Sequence, residues 1–150
     1  MQSVPYDYFT DEFLSKVSEF DLWELDNEER QYVIDGYMKR AIAGFRSICL
    51  YDFSTTCDDT ERVFNVNVPD NEIDELTDII SDGMLVQWLK PYIYKQEGLE
   101  NVLSTRDFTT YSPANLLSSL REFYAKSQRD FTNKMREYSY QHGDLTILHL

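Results

Sequence analysis

The chain has two histidines, His142 and His149, and both fall in its last nine residues. An imidazole that works as a general base or a metal ligand needs a rigid element and a partner that orients it. Chain ends seldom supply either. His142, next to Gly143, reads instead as the last residue of a helix, where a cationic group complements the carbonyl end of the dipole. Cys49 and Cys57 have seven residues between them and no flanking histidine. Cys49 lies in the apolar run ICLY and reads as a buried thiol; two cysteines make no disulfide framework. Acid pairs are frequent: Asp58-Asp59, Glu28-Glu29, and Glu72 with Asp74, Glu75 and Asp78. Such carboxylates can hydrolyse glycosides or hold a divalent metal. CDDTE, however, lacks the glycine and closing glutamate of a calcium loop, and the acids after Asp70 suit the first turn of a helix. No HExxH, CxxC, GxxxxGK[ST] or GxGxxG occurs. The expectation is a protein with no catalytic residue, no cofactor and no metal, and not an enzyme.

Charge narrows the partners. Asp and Glu number 27 against 14 Lys and Arg, a net of -13, which opposes free-standing nucleic-acid binding. The distribution is uneven. Residues 1–35 hold ten acids and two bases, and residues 52–82 ten acids and one base; residues 36–51 hold three bases and no acid, and residues 113–138 five bases against three acids. A fold that segregates these would present unlike faces, an arrangement suited to head-to-tail self-assembly.

The elements that would carry these groups follow from periodicity. The 150 residues are 42% apolar and 15% aromatic, which is one domain's worth of chain able to bury roughly 70% of its unfolded surface. There is no apolar run of membrane-spanning length and no signal-peptide pattern, so a soluble intracellular domain without a membrane partner is expected. PYDYF opens as an aromatic arm (residues 1–9), before a short helix capped by Thr10 with Phe13, Leu14 and Val17 on one side. A helix from Asn27 to Cys49 repeats Val33, Tyr37, Met38, Ala41, Ile42, Phe45 and Ile48 every three or four residues. Gly36 and Gly44 lie near one face of it and suggest close helix approach. Residues 50–62 read as a polar loop. Phe64, Val66 and Val68 alternate as one short strand, which needs a partner in this chain or in a neighbour. Asp70 caps a helix to Lys90, where Pro91 predicts a kink or restart, and YIYKQEGLENVLS beyond it reads as still helical. Ser112-Pro113 starts the last long helix, on which Leu116, Leu120, Phe123, Ser127, Phe131, Met135 and Tyr138 keep to one side. The fold class predicted is mainly α: a helical bundle of three substantial helices, shorter helices and one short strand, with an extended C-terminal tail (144–150).

Contacts, not catalysis, are what the remaining residues suggest. Eleven tyrosines are many for this length, and tyrosine is enriched at interfaces. Tyr6 and Tyr8 in the arm, with Tyr138 and Tyr140 at the end of the last helix, are the partner-binding candidates. The tail adds Leu145, Ile147, Leu148 and Leu150. Burying three of these is worth roughly 4–8 kcal/mol before ordering costs, so the tail either folds onto its own bundle or docks on another subunit.

The runs GMLVQWLKPYIYKQEGLENVL, RDFTTYSPANLLSSLREFYAKSQRDF and REYSYQHGDLTILHL resemble the head-to-tail connector (adaptor) proteins of long-tailed bacteriophages. The likeness covers residues 70–150 and is carried by helix texture, the DF-x-x-YSP turn and the HGDLT tail. It implies a ring of twelve copies at the head-tail interface of the virion, made in the host cytoplasm, with residues 144–150 reaching the portal protein. The implied partners are the portal, neighbouring copies and the next neck or tail component, with DNA passing through the lumen without specific binding. The alternative is an acidic DNA mimic that inhibits a nucleic-acid-binding enzyme; against it, residues 83–150 are nearly balanced in charge.

Overall fold

The computed structural model describes residues 2–17, 27–103 and 113–142. Its element order is β1 (Val4–Pro5), α1 (Asp7–Lys16), α2 (Asn27–Phe45), β2 (Cys57–Asp58), β3 (Val63–Phe64), α3 (Asp70–Leu103) and α4 (Pro113–His142). The protein is mainly helical, as its periodicity predicts. No helix among the described residues is long and apolar enough to cross a membrane.

The other three helices, α1, α2 and α4, all pack on α3. On α2, Ile34, Tyr37, Met38, Ala41, Ile42 and Phe45 are buried, so the apolar stripe lands as expected, with Ile34 rather than Val33 as its first inner residue. The helix ends at Phe45, four residues before the predicted end, and a turn follows in which the amides of Ile48 and Cys49 both bond the Phe45 carbonyl (3.1 and 3.0 Å).

The opening segment is not an arm. Val4, Tyr6, Phe9 and Phe13 are each fully buried, and α1 starts at Asp7 with Tyr6 at its N-cap, ahead of the predicted Thr10 cap. Thr10 is itself buried within the helix. Clustered aromatics near a chain end are as able to fill a core as to reach a partner. The predicted lone strand is also revised. β3 is the centre of a three-stranded antiparallel sheet in the order β1-β3-β2, with Val4 and Cys57 both opposite Phe64. Its partners come from the supposed arm and the supposed loop, so no neighbour's sheet is required. Carboxylates shape that loop: Asp52 accepts the amides of Ser54 and Thr55, and Asp58 those of Thr60 and Glu61. The turn into β3 places Arg62 at φ 53°, the left-handed region.

α3 runs through Pro91 as one 34-residue element, about 51 Å long. The helix does not restart at Pro91, and Leu89 before the proline and Ile93 after it are both buried. The close helix approach lies elsewhere than predicted. A Cβ at Gly36 or Gly44 would meet only ordinary contacts, 4.0 Å from Arg40 and 3.8 Å from Phe131. One at Gly83 would lie 2.7 Å from the Phe131 ring and 2.9 Å from the Ala41 Cβ. At Gly83, on α3, side chains of α2 and α4 come too close to leave room for a Cβ. α4 seals this junction with Ser127, Phe131 and Tyr138, while Phe123 of its predicted stripe remains exposed.

Candidate interaction surface

Charged side chains inside the bundle are spent on joining helices. Lys16, the last residue of α1, donates to Asp78 Oδ1 (2.9 Å), Asp82 Oδ1 (2.7 Å) and Ser81 Oγ (2.7 Å) on α3. Lys134 of α4 takes the other carboxylate oxygens, Asp78 Oδ2 (2.8 Å) and Asp82 Oδ2. Two ammonium groups and two carboxylates thus balance across three helices, with Ser81 and Asp82 buried. Burial pushes the Asp78 carboxyl up, but Lys134 and Lys16 outweigh it and hold the group below the usual carboxylate range. A carboxylate locked in its ionised form serves as a tie; a general acid at neutral pH needs the opposite shift.

A second tie joins the sheet to α1 and α2. Arg62 forks onto Asp35 (Nε–Oδ2 3.1 Å, Nη2–Oδ1 2.8 Å) and reaches Asp7 with Nη1 (2.7 Å). Its guanidinium also lies 5.5 Å from the centre of the Tyr6 ring. The Tyr6 hydroxyl donates to Asp59 Oδ1 (2.7 Å), and Lys39 pairs with the same oxygen (2.7 Å). Burial, then this hydrogen bond, raises the Tyr6 hydroxyl well above its usual range. Lys39 and Tyr6 together hold Asp59 low. Asp59 therefore serves the fold. Among the described residues no group of three or more His, Cys, Asp or Glu side chains could hold a metal ion.

His142 closes α4, as the Gly143 boundary predicts, and reaches across to α3. Its Nε2 lies 2.9 Å from Glu75 Oε2 and its Nδ1 3.9 Å from Glu72 Oε1. Cys49 is half-buried, with its thiol pushed up by burial, and Cys57 is exposed.

The eight predicted contact residues separate into three groups. Tyr6 and Tyr138 are corrected to core residues. Tyr138 is 1% exposed, stands edge-on to Phe45 at 5.1 Å, and accepts the Leu50 amide on its hydroxyl (3.2 Å). Aromatic periodicity marks a buried stripe as readily as an interface, and here the stripe faces inward. Tyr8 and Tyr140 are exposed, 42% and 59%. Leu145, Ile147, Leu148 and Leu150 lie outside the described residues.

Three further surface aromatics lie outside the predicted contact set: Tyr32 (83% exposed), Tyr94 (65%) and Phe123. Tyr32 stands beside Pro91 in a groove of about 690 Å³ that also includes Val33, Gly36 and Arg40. The cue for Tyr32 was its place one turn from Glu28 and Glu29, on the polar side of α2. A second groove, about 720 Å³, runs between the end of α2 and α4, with Gly44, Val86, Phe131 and Met135 beneath and Arg129 and Arg136 at its edge. Compared with protein families, curated proteins and solved structures, the chain finds no match in any of the three.

Proposed function

We propose that this protein is a structural subunit of a bacteriophage virion, a ring-forming adaptor that joins the portal to the neck or tail and extends the DNA channel. One contrast carries the reading. The buried and half-buried ions are consumed as ties between helices, while large aromatic side chains are left in water at Tyr32, Tyr94 and Tyr140. A domain that binds its charges internally and exposes tyrosine is suited to docking on other proteins. The resemblance of residues 70–150 to head-to-tail connectors supplies the particular assembly, with residues 144–150 as the segment that reaches the portal. The acidic-mimic alternative is less well supported. A mimic of DNA needs unpaired carboxylates along most of its surface, and here Asp7, Asp35, Asp59, Asp78 and Asp82 are paired with cations.

The test is light scattering coupled to size-exclusion chromatography, with the cognate portal present and absent. The full chain co-elutes with portal, and deletion of residues 144–150 abolishes this while circular dichroism retains its helicity. A chain that ignores portal and competes with duplex DNA for a nuclease would refute the proposal.

A further inference from the structure

Resting on that assembly reading, we infer that the groove between α2 and α4 receives the α1 flank of a second copy of this chain, so that copies join head to tail. The groove has an apolar floor, Val86, Phe131 and Met135, and a cationic edge, Arg129 and Arg136. Those two arginines are two turns apart on α4 and point along one side of it. Among the described residues neither has an acidic partner, although the chain carries a net charge of -13. Lys16, Lys39, Arg62 and Lys134 are all paired. Two of the cations that have no acidic partner among the described residues thus stand beside the open apolar floor.

The same protomer carries the complement. On α1, the half-exposed Tyr8 ring stands one turn from Asp11 and Glu12, and all three share a concavity with Asp74 of α3. Asp11, Glu12 and Asp74 have no cationic partner among the described residues. An aromatic knob framed by carboxylates matches an apolar groove framed by guanidinium groups.

The two surfaces also lie on different flanks. Lys134 turns one edge of α4 toward α1 through the Asp78 and Asp82 pair, while Arg129 and Arg136 line the side shared with Gly44 of α2. Pairing either flank with itself would set arginine against arginine or carboxylate against carboxylate. The contact is therefore heterologous, with the groove of one copy on the α1 flank of the next, and repeats of such a contact generate rings or filaments.

Sedimentation velocity of the full chain tests this with two charge-reversed variants, Arg129→Glu/Arg136→Glu and Asp11→Lys/Glu12→Lys. Each variant alone self-associates roughly a hundredfold more weakly than wild type. Each still retains one intact surface, and the two reversed surfaces complement each other, so an equimolar mixture assembles again with the two variants alternating. Placing all four substitutions in one chain restores assembly. Tyr8→Ala, which removes the knob without altering charge, gives the same weakening and serves if a charge-reversed chain loses helicity. A wild-type chain that is monomeric at every soluble concentration overturns the inference, as do variants that assemble normally or a mixture that does not assemble. Portal binding through residues 144–150 is measured separately, so failure of one proposal does not imply failure of the other.

Discussion

Replacing Gly83 by alanine adds one methyl group at the point where three helices converge. In an open helix the change is stabilising, because glycine is worth about 1 kcal/mol less than alanine in a helix interior. At Gly83 the new Cβ would lie 2.7 Å from the Phe131 ring and 2.9 Å from the Ala41 Cβ. The phenyl ring can swing, but the Ala41 methyl is fixed to the α2 backbone and can move only with its helix. Overpacking of this kind costs about 1–3 kcal/mol, so the propensity gain is offset or exceeded and the net loss is about 0–2 kcal/mol. Gly36 is the control. Its added methyl meets nothing nearer than the Arg40 guanidinium at 4.0 Å, so Gly36→Ala stabilises by about 0.5–1 kcal/mol. Urea unfolding followed by circular dichroism measures both variants, and Ala41→Gly costs less in the Gly83→Ala background than in wild type because it removes the opposing methyl. The reasoning is refuted if Gly83→Ala raises stability as much as Gly36→Ala does, since helix approach at residue 83 would then impose no constraint.

Two other perturbations probe the polar ties. Asp78 has its folded pKa depressed by Lys134 and Lys16 against the opposing effect of burial, so its contribution is complete above the ordinary carboxylate value near about 4 and is lost as pH falls through the depressed one. The urea midpoint therefore declines between about pH 5 and pH 2, and Asp78→Asn flattens that decline. An unchanged slope in the variant would show that the tie contributes nothing. Tyr138→Phe strands the Leu50 amide and costs about 1 kcal/mol, whereas Tyr140→Ala, at an exposed position, stays within about 0.5 kcal/mol of wild type. Equal effects at the two tyrosines would contradict their assignment to core and surface.

Much of the secondary structure was legible because helices in this chain announce themselves locally. The stripes Tyr37-Met38-Ala41-Ile42-Phe45 and Ile73-Leu76-Ile80-Met84 repeat at helical spacing, and Ser112-Pro113 and Gly143 bracket α4 from its immediate neighbours. The sheet was not legible. Two-residue strands carry no period, and what pairs Val4 with Phe64 across sixty residues is a tertiary contact. The candidate surface was legible only in part. Tyr8 and Tyr140 could be named, but tyrosine alternates freely between roofing a core and meeting a partner, so Tyr6 and Tyr138 were indistinguishable from them in one dimension.

By itself the sequence determined a helical, strongly acidic chain without a reactive constellation of known spacing, since composition and periodicity are properties of residue type and order. Tertiary structure alone decided which glycine sits where helices crowd, which tyrosines meet water and which charges are paired between helices. Each depends on the distance between residues far apart in the chain: Gly83 on Ala41 and Phe131, Tyr138 on Leu50, and Lys16 with Lys134 on the aspartates they share.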